Sequence, residues 1–302
     1  MSSPPVNSLN MLQVWTLAVR PRTLPAAAAT AIVGSAAAFY AGNFRSGPAI
    51  ACLLGALLLQ IGANLANDVY DFYRGTDTSA RLGPLRVTHA GLLTPRQVMA
   101  GMWVVFGLAA LLGVYLYLES GWQVLLIGLA CIGAAIAYSG GPLPFGYFGL
   151  GDLAVFLFFG PVAVCGTYFT QARRLDPIAV WASLPMGFLI VAILVVNNLR
   201  DIATDKATGK HTLAVRLGAR GARREYTFCL VAAYLIPPVM VALGAASAWT
   251  MLAWISLPLA IRQNQMVWRM EGRPLNQALA GTGQLTLAYA LLFSLGLLIA
   301  VL

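Results

Sequence analysis

Asn67-Asp68-Val69-Tyr70-Asp71-Phe72-Tyr73-Arg74-Gly75-Thr76-Asp77 runs on from an apolar stretch without a break, and Asn197-Asn198-Leu199-Arg200-Asp201-Ile202-Ala203-Thr204-Asp205-Lys206 does the same later in the chain. On a helix, residues four apart share a face. Asn67 therefore aligns with Asp71, Asn197 with Asp201, and Asp201 with Asp205, so each stretch presents a row of oxygen donors. Asp77 lies beyond Gly75, where the helix can turn, and its carboxylate is expected to fold back toward the first row.

The stretches before these rows are long and apolar, and so is the rest of the chain. Of 302 residues, 59% are hydrophobic and 10% charged, and the mean hydropathy is +0.77. A water-soluble domain of this length does not have that composition. A helix crossing a bilayer needs about 20 apolar residues, and nine such stretches are expected, at 23–41, 48–69, 97–117, 121–140, 150–170, 178–197, 226–246, 248–264 and 278–302. The fold class is thus all-α and polytopic, a single membrane domain over 1–302 around a central cavity. A polar segment is expected at 1–15 and cap loops at 70–96 and 198–225. The first ten residues are polar and Arg20-Pro21-Arg22 precedes the first apolar run, so no cleavable signal peptide is expected.

Charge placement gives an orientation. With nine spans and a cytoplasmic N-terminus, all of the 19 lysines and arginines except Arg45, Arg173 and Arg174 fall on the cytoplasmic side, as do all ten acids except Glu119 and Asp176. Such confinement to particular loops is not the pattern of a nucleic-acid groove, despite the net charge of +9, and no obligate protein partner is evident. Cys52, Cys131, Cys165 and Cys229 lie inside apolar runs without CxxC spacing and read as packing residues.

The second and sixth spans run in the same direction, and both end in Asn-x-x-x-Asp. The chain therefore reads as two parallel half-repeats that bring the acid rows to one side of the membrane, facing each other across the cavity. Several carboxylates converging there repel one another unless a cation lies between them. Mg²⁺ is the hard ion suited to carboxylate and amide oxygens together with a substrate's phosphates. Arg74, Arg81 and Arg86 in one loop, and Arg200, Lys206 and Lys210 in the other, suit a phosphate ligand. A single cluster of this kind also reads as a solvated helix end; the repeated spacing favours a site.

These two motifs resemble the Asp-rich motifs of the UbiA superfamily of intramembrane prenyltransferases. Asn67-x-x-x-Asp71 with Arg74-Gly75-Thr76-Asp77, and the second row followed by Gly209-Lys210-His211-Thr212-Leu213-Ala214, are similar to its MenA branch. So are Arg20-Pro21-Arg22-Thr23-Leu24-Pro25, Gly83-Pro84-Leu85-Arg86 and Gly146-Tyr147-Phe148-Gly149-Leu150-Gly151-Asp152. The resemblance implies nine helices around a cavity and Mg²⁺-dependent transfer of a polyprenyl group from its diphosphate to 1,4-dihydroxy-2-naphthoate, with loss of CO₂. It implies Asn67, Asp71, Asp77, Asn198, Asp201 and Asp205 as metal ligands, the four aspartates being catalytic. Arg20 or Arg22, Arg74, Arg86, Arg200, Lys206 and Lys210 are implied as substrate-binding residues.

Tyr70, Phe72, Tyr138 and Tyr147 are expected to line the cavity or to belong to an interfacial aromatic belt. Tyr138-Ser139-Gly140-Gly141-Pro142 departs from the ubiquinone branch, which commonly has Tyr-Pro followed by Lys-Arg in this loop; another basic residue would have to replace that cation. The segment 81–96 reads as a lid, with a new helix beginning at Thr94-Pro95-Arg96-Gln97. His89 and His211 are expected to be exposed, and Asp152 to cap a helix or contact the acceptor. Phytyl transfer, 4-hydroxybenzoate prenylation and, in a different class, an ion-coupled carrier are the alternatives.

Overall fold

The computed structural model describes residues 9–77 and 81–302. Every regular element among them is helical, as a bilayer requires of a chain that does not close a barrel, because each backbone group must be satisfied within its own segment. The helices are α1 Met11–Val19, α2 Leu24–Tyr40, α3 Ser46–Tyr73, α4 Pro95–Ser120, α5 Gln123–Ala137, α6 Gly151–Leu157, α7 Gly166–Ala172, α8 Pro177–Ala207, α9 Leu213–Ala242, α10 Leu257–Arg269 and α11 Leu275–Ile299. A π-helical stretch, Phe158–Cys165, carries Pro161 and joins α6 to α7 as one span. Proline removes a backbone donor, and widening the turn accommodates it.

Among the described residues, seven segments are long and apolar enough to cross a membrane. Helix α5 has 15 residues, about 22 Å at 1.5 Å per residue, and makes a short eighth. The ninth departs from the expected 248–264: Ala248–Ser256 is a 3₁₀ helix that passes into α10, which ends at Arg269. Small residues let the helices approach closely. A Cβ on Gly34 of α2 would lie 2.6 Å from the Val164 carbonyl oxygen, and one on Gly160 would lie 3.0 Å from the Gly187 Cα of α8. The main buried cluster joins α2, α8, α9 and α11; a second joins α1, α3, α4 and the loop residues Val87 and Leu93. Outward on α4, Trp103, Val104, Leu108, Leu111 and Leu118 are exposed, which is a lipid-facing surface in a polytopic protein.

Two expected boundaries need correction. Residues 11–15 of the supposed polar segment belong to α1, started by a reciprocal Asn10/Gln13 capping box. It buries Val14 and Ala18 while Leu12 is 77% exposed, so it is amphipathic rather than polar; residues 1–8 of that segment lie outside the described residues. The supposed loop 198–225 is mostly helix. Helix α8 continues to Ala207, a short connection leads to the Thr212 cap of α9, and Gly218 at φ 69° breaks α9 soon after its start. Acid and amide side chains continue the α8 pattern without a break, so the polar row is the end of the helix rather than a loop. The start of α4 is where the sequence put it, with a Thr94/Gln97 capping box and Pro95 in the first turn.

Candidate active site

Both acid rows sit at the corresponding ends of α3 and α8, and Asp71, Asp77 and Asp201 are buried against arginines. In the first row Asp71 accepts from Arg86 Nη2 at 2.9 Å and from the Tyr147 hydroxyl at 2.6 Å. Gly75, at φ 67°, turns the chain, and Asp77 returns to the row with 6% exposure. Its Oδ1 is 2.5 Å from Arg81 Nη1 and its Oδ2 3.5 Å from Arg86 Nε. Burial pushes the Asp77 carboxyl up to about 6 against the opposing pull of Arg81, with the Asp71 and Asp68 charges adding to the rise. Burial, with the neighbouring Asp71 charge and hydrogen bond, likewise raises the Tyr147 phenol, so this hydroxyl remains a donor at neutral pH.

The second row is organised by Arg200. Its Nε and Nη2 lie 2.8 and 2.5 Å from the two oxygens of Asp201, and Nη2 also donates to Asn197 Oδ1 at 2.8 Å. Asn198 is buried and Asp205 half-buried. Tyr147 joins the rows, with Arg74 Cζ 5.4 Å and Lys210 Nζ 5.0 Å from its ring centroid. The His211 amide donates to the Tyr147 carbonyl at 2.9 Å. A cavity of about 450 Å³ opens here, lined by Arg74, Thr76, Tyr147, Phe148, Thr208 and Gly209 among others.

Arg74 also answers the missing cation of the 138–142 loop. Its Nε donates to the Ser139 carbonyl at 2.9 Å, and Nη2 bonds the Gly141 carbonyl, so a residue of the first motif carries positive charge into that loop. Asn67 Oδ1 accepts from the Ser139 hydroxyl at 2.9 Å. Tyr70 packs against Gly140 of the same loop, and Tyr138, the loop's first residue, packs against Gly146.

Other expected residues are placed elsewhere. Of the pair Arg20 and Arg22, only Arg20 turns inward, its Nη2 3.7 Å from Asp68 Oδ2; Arg22 is exposed, as is Lys206 in the last turn of α8. Phe72 is exposed and edge-on to Tyr73 rather than lining the cavity, because one residue past Asp71 on a helix points some 100° away from the row. His89 and His211 are exposed. Asp152 does not occupy the cap of α6, which is Leu150; it lies buried in the first turn, its Oδ2 without a hydrogen-bond partner among the described residues.

Three positions missed from the sequence organise the site. Asp68 accepts from the Val87 and Thr88 amides at 3.2 and 3.1 Å and so pins the 81–96 segment to α3. Asn64, four residues earlier on the same face, donates to the Val19 carbonyl and the Thr23 hydroxyl, both at 2.9 Å, and fixes the α1–α2 junction that carries Arg20. The spacing Asn64, Asp68, Asp71 was the available signal. Asn276 on α11 bonds both Arg200 and Leu82 and had none.

The donor set suits a hard divalent cation. Among the described residues, no three His, Cys, Asp or Glu side chains are gathered closely enough to enclose a metal; Asp71, Asp77 and Asp201 are instead paired with arginines. Asp77 Oδ2 and Arg86 Nε and Nη1 are nevertheless buried without hydrogen bonds. Asp77 Oδ2 and Arg86 Nε face each other at 3.5 Å as an ion pair without a hydrogen bond, which leaves hydrogen-bonding capacity of both signs that fits a site taking a cation and an anion together.

Residues 27–279 match the UbiA prenyltransferase family. The chain belongs to that family. It is 41% identical over 278 residues to a 1,4-dihydroxy-2-naphthoate octaprenyltransferase of Mycobacterium tuberculosis, covering 92% of this chain and 94% of the relative. It is 36% identical over 299 residues to the Escherichia coli protein of the same name, covering 97% of each. A 2-carboxy-1,4-naphthoquinone phytyltransferase of Synechocystis is 30% identical, over 87% of this chain and 85% of its own. Among solved structures, a UbiA homolog from Aeropyrum pernix in its apo form superposes with a TM-score of 0.71 at 17% identity, covering 94% of this chain and all of that one. One from Archaeoglobus fulgidus bound to GPP and Mg²⁺ gives 0.63 at 15% identity, covering 95% and 99%. The fold is shared with both. The chain is an integral-membrane prenyltransferase, and the carrier alternative falls.

Proposed function

We propose that the chain transfers a polyprenyl group from polyprenyl diphosphate to 1,4-dihydroxy-2-naphthoate, with loss of CO₂, giving demethylmenaquinol for menaquinone biosynthesis. The observation that carries this reading is near-full-length similarity, at 41% and 36% identity, to two octaprenyltransferases named for that acceptor. The reaction breaks the allylic C–O bond, whose electron pair leaves with the diphosphate. The electron-rich ring carbon that bears the carboxylate forms the new C–C bond, and the carboxylate leaves as CO₂, its bonding pair restoring the aromatic ring.

The task for the protein is electrostatic. Asn67, Asp71, Asp77, Asn198, Asp201 and Asp205 would hold Mg²⁺, in line with the Mg²⁺ and GPP of the A. fulgidus homolog. Bound there, the metal supplies positive charge to the departing diphosphate. Arg20, Arg74, Arg86, Arg200 and Lys210 are assigned to phosphate oxygens, and the exposed Lys206 and Arg22 are assigned to the approach of the diphosphate. Tyr147 holds Asp71 in place through its hydroxyl. The 81–87 loop, pinned by Asp68, excludes water from the allyl cation, while Tyr70 and Tyr138 wall the acceptor side.

We assign the whole of 1–302 to one prenyltransferase unit in the bacterial cytoplasmic (inner) membrane, with the N-terminus and both acid rows on the cytoplasmic side. The distribution of lysine and arginine supports this orientation. The Synechocystis relative favours a second donor, phytyl diphosphate, more weakly at 30% identity.

The test incubates purified protein with Mg²⁺, labelled octaprenyl or phytyl diphosphate, and either dihydroxynaphthoate or 4-hydroxybenzoate. Prenylated, decarboxylated naphthoate product from the octaprenyl donor is expected. Product from 4-hydroxybenzoate alone overturns the acceptor, and a preference for the phytyl donor overturns the chain type.

A further inference from the structure

Arg200 and Asp201 are consecutive on α8, and consecutive helical side chains do not face each other. Their two-point ion pair therefore requires the guanidinium to curl across the helix surface, and the Arg200 side chain does so with 0% exposure. Asn197 assists from the same helix. The only hydrogen-bond partner from outside α8, among the described residues, is Asn276 in the first turn of α11, whose Oδ1 accepts from Arg200 Nη1 at 2.7 Å.

The other end of the same amide points elsewhere. Asn276 Nδ2 donates to the Leu82 carbonyl at 3.0 Å, in the loop that carries Arg81 and Arg86. Gly83 lies flat on Arg200, where an added Cβ would come within 2.7 Å of Nη2. Asp68, Asp71 and Asp77 fasten this loop to the first row. Toward α8 and α11, the Asn276–Leu82 bond is its only hydrogen bond among the described residues.

We infer that Asn276 is a positioning residue that clasps Arg200 and the 81–87 loop together, setting the guanidinium between the two acid rows where the donor's diphosphate meets it. The clasp rests on the reading of the rows as the diphosphate site. An amide suits the task because it accepts from a cation and donates to a carbonyl at the same time. It also gives Arg200 a partner besides Asp201, so the guanidinium stays aimed when Asp201 turns to another cation.

The test compares Asn276→Ala, Asn276→Asp and Gly83→Ala with the wild type and with Asp201→Asn. It reads the KM for each substrate, kcat, the Tm in detergent, and the rate of tryptic cleavage after Arg81 and Arg86. Losing a hydrogen bond to a charged group should raise the Asn276→Ala KM for polyprenyl diphosphate about tenfold or more. The acceptor KM and the Tm should hold while loop cleavage accelerates. Asn276→Asp keeps the acceptor for Arg200 and loses the donor to Leu82, so it should restore most of the diphosphate KM and still cleave fast. Gly83→Ala should raise the diphosphate KM without touching Asn276, and it decides the matter if Asn276→Ala does not fold.

Unchanged diphosphate KM in both Asn276→Ala and Gly83→Ala overturns the clasp, as does an equal rise for both substrates together with a lowered Tm. An unaffected Asp201→Asn removes the reading of the acid rows itself. Loss of activity in Asp201→Asn beside an unchanged Asn276→Ala removes the clasp alone.

Discussion

The Tyr147 hydroxyl donates to Asp71 Oδ1 at 2.6 Å while Arg74 and Lys210 lie over its ring, so one side chain from the 145–147 turn ties the end of α3 to the connection after α8. Tyr147→Phe keeps the ring between the cations and removes only the bond to Asp71. It should lower kcat/KM about tenfold, since a hydrogen bond to a charged group is lost, and raise the Mg²⁺ concentration for half-maximal rate. A Mg²⁺ titration of initial rates, wild type against variant, checks both.

Arg74 reaches the carbonyls of Ser139 and Gly141, which no shorter or less branched side chain does together. Arg74→Ala should raise the KM for polyprenyl diphosphate and loosen the 138–142 loop. Arg74→Lys, which keeps the charge but not the planar fork, should recover only part of the loss. Steady-state kinetics of the two variants side by side give the comparison.

Asp68 acts through the loop it holds: its two oxygens accept from the Val87 and Thr88 amides, and Oδ2 also lies 3.7 Å from Arg20. Asp68→Ala leaves both amides without their acceptor, at a cost of about 1–3 kcal/mol for each that stays buried. A lower Tm and faster tryptic cleavage of the 81–96 segment are expected, with Asp68→Asn intermediate.

The Asp77 carboxyl, raised to about 6 by burial, gives a pH dependence of definite sign. A carboxyl whose folded value exceeds its unfolded value of 3.8 contributes stability that is present at low pH and lost as pH rises through about 6. In Mg²⁺-free protein, Asp77→Asn should therefore be the more stable form at pH 7.5, and the Tm difference should narrow as pH falls toward 5. Mg²⁺ must also displace that proton, so its affinity for the wild type should weaken below about pH 6. Thermal scans across pH, with and without Mg²⁺, measure both effects.

Periodicity made the scaffold legible. Long apolar runs fixed the helices, and the four-residue spacing of Asn67/Asp71 and Asn197/Asp201 put the polar groups on helix faces. The Thr94-Pro95-Arg96-Gln97 signature located the start of α4 because a cap is a local device. The 3₁₀ start of the 248–264 span was illegible, since nothing in its apolar pattern announces a boundary; the helical course through Asn197, Asp201 and Asp205 follows the four-residue spacing.

In the site, side chains with a partner in the same motif were readable, whereas those whose partner is remote in sequence were not. Arg22 was indistinguishable from Arg20 until the left-handed turn at Arg20, φ 55°, aimed one inward and left the other at the surface. Asn276 meets Leu82 across 194 positions, a separation that no local pattern encodes.

Two acid rows acting on one diphosphate through shared metal must both be needed for the diphosphate to bind. The most direct measurement is Mg²⁺-dependent binding of an unreactive polyprenyl diphosphate analogue to the wild type, Asp71→Asn and Asp201→Asn, by calorimetry in detergent. Binding that requires Mg²⁺ and is lost in both variants is the predicted result. Binding that survives unchanged in either variant, or that ignores Mg²⁺, contradicts the account.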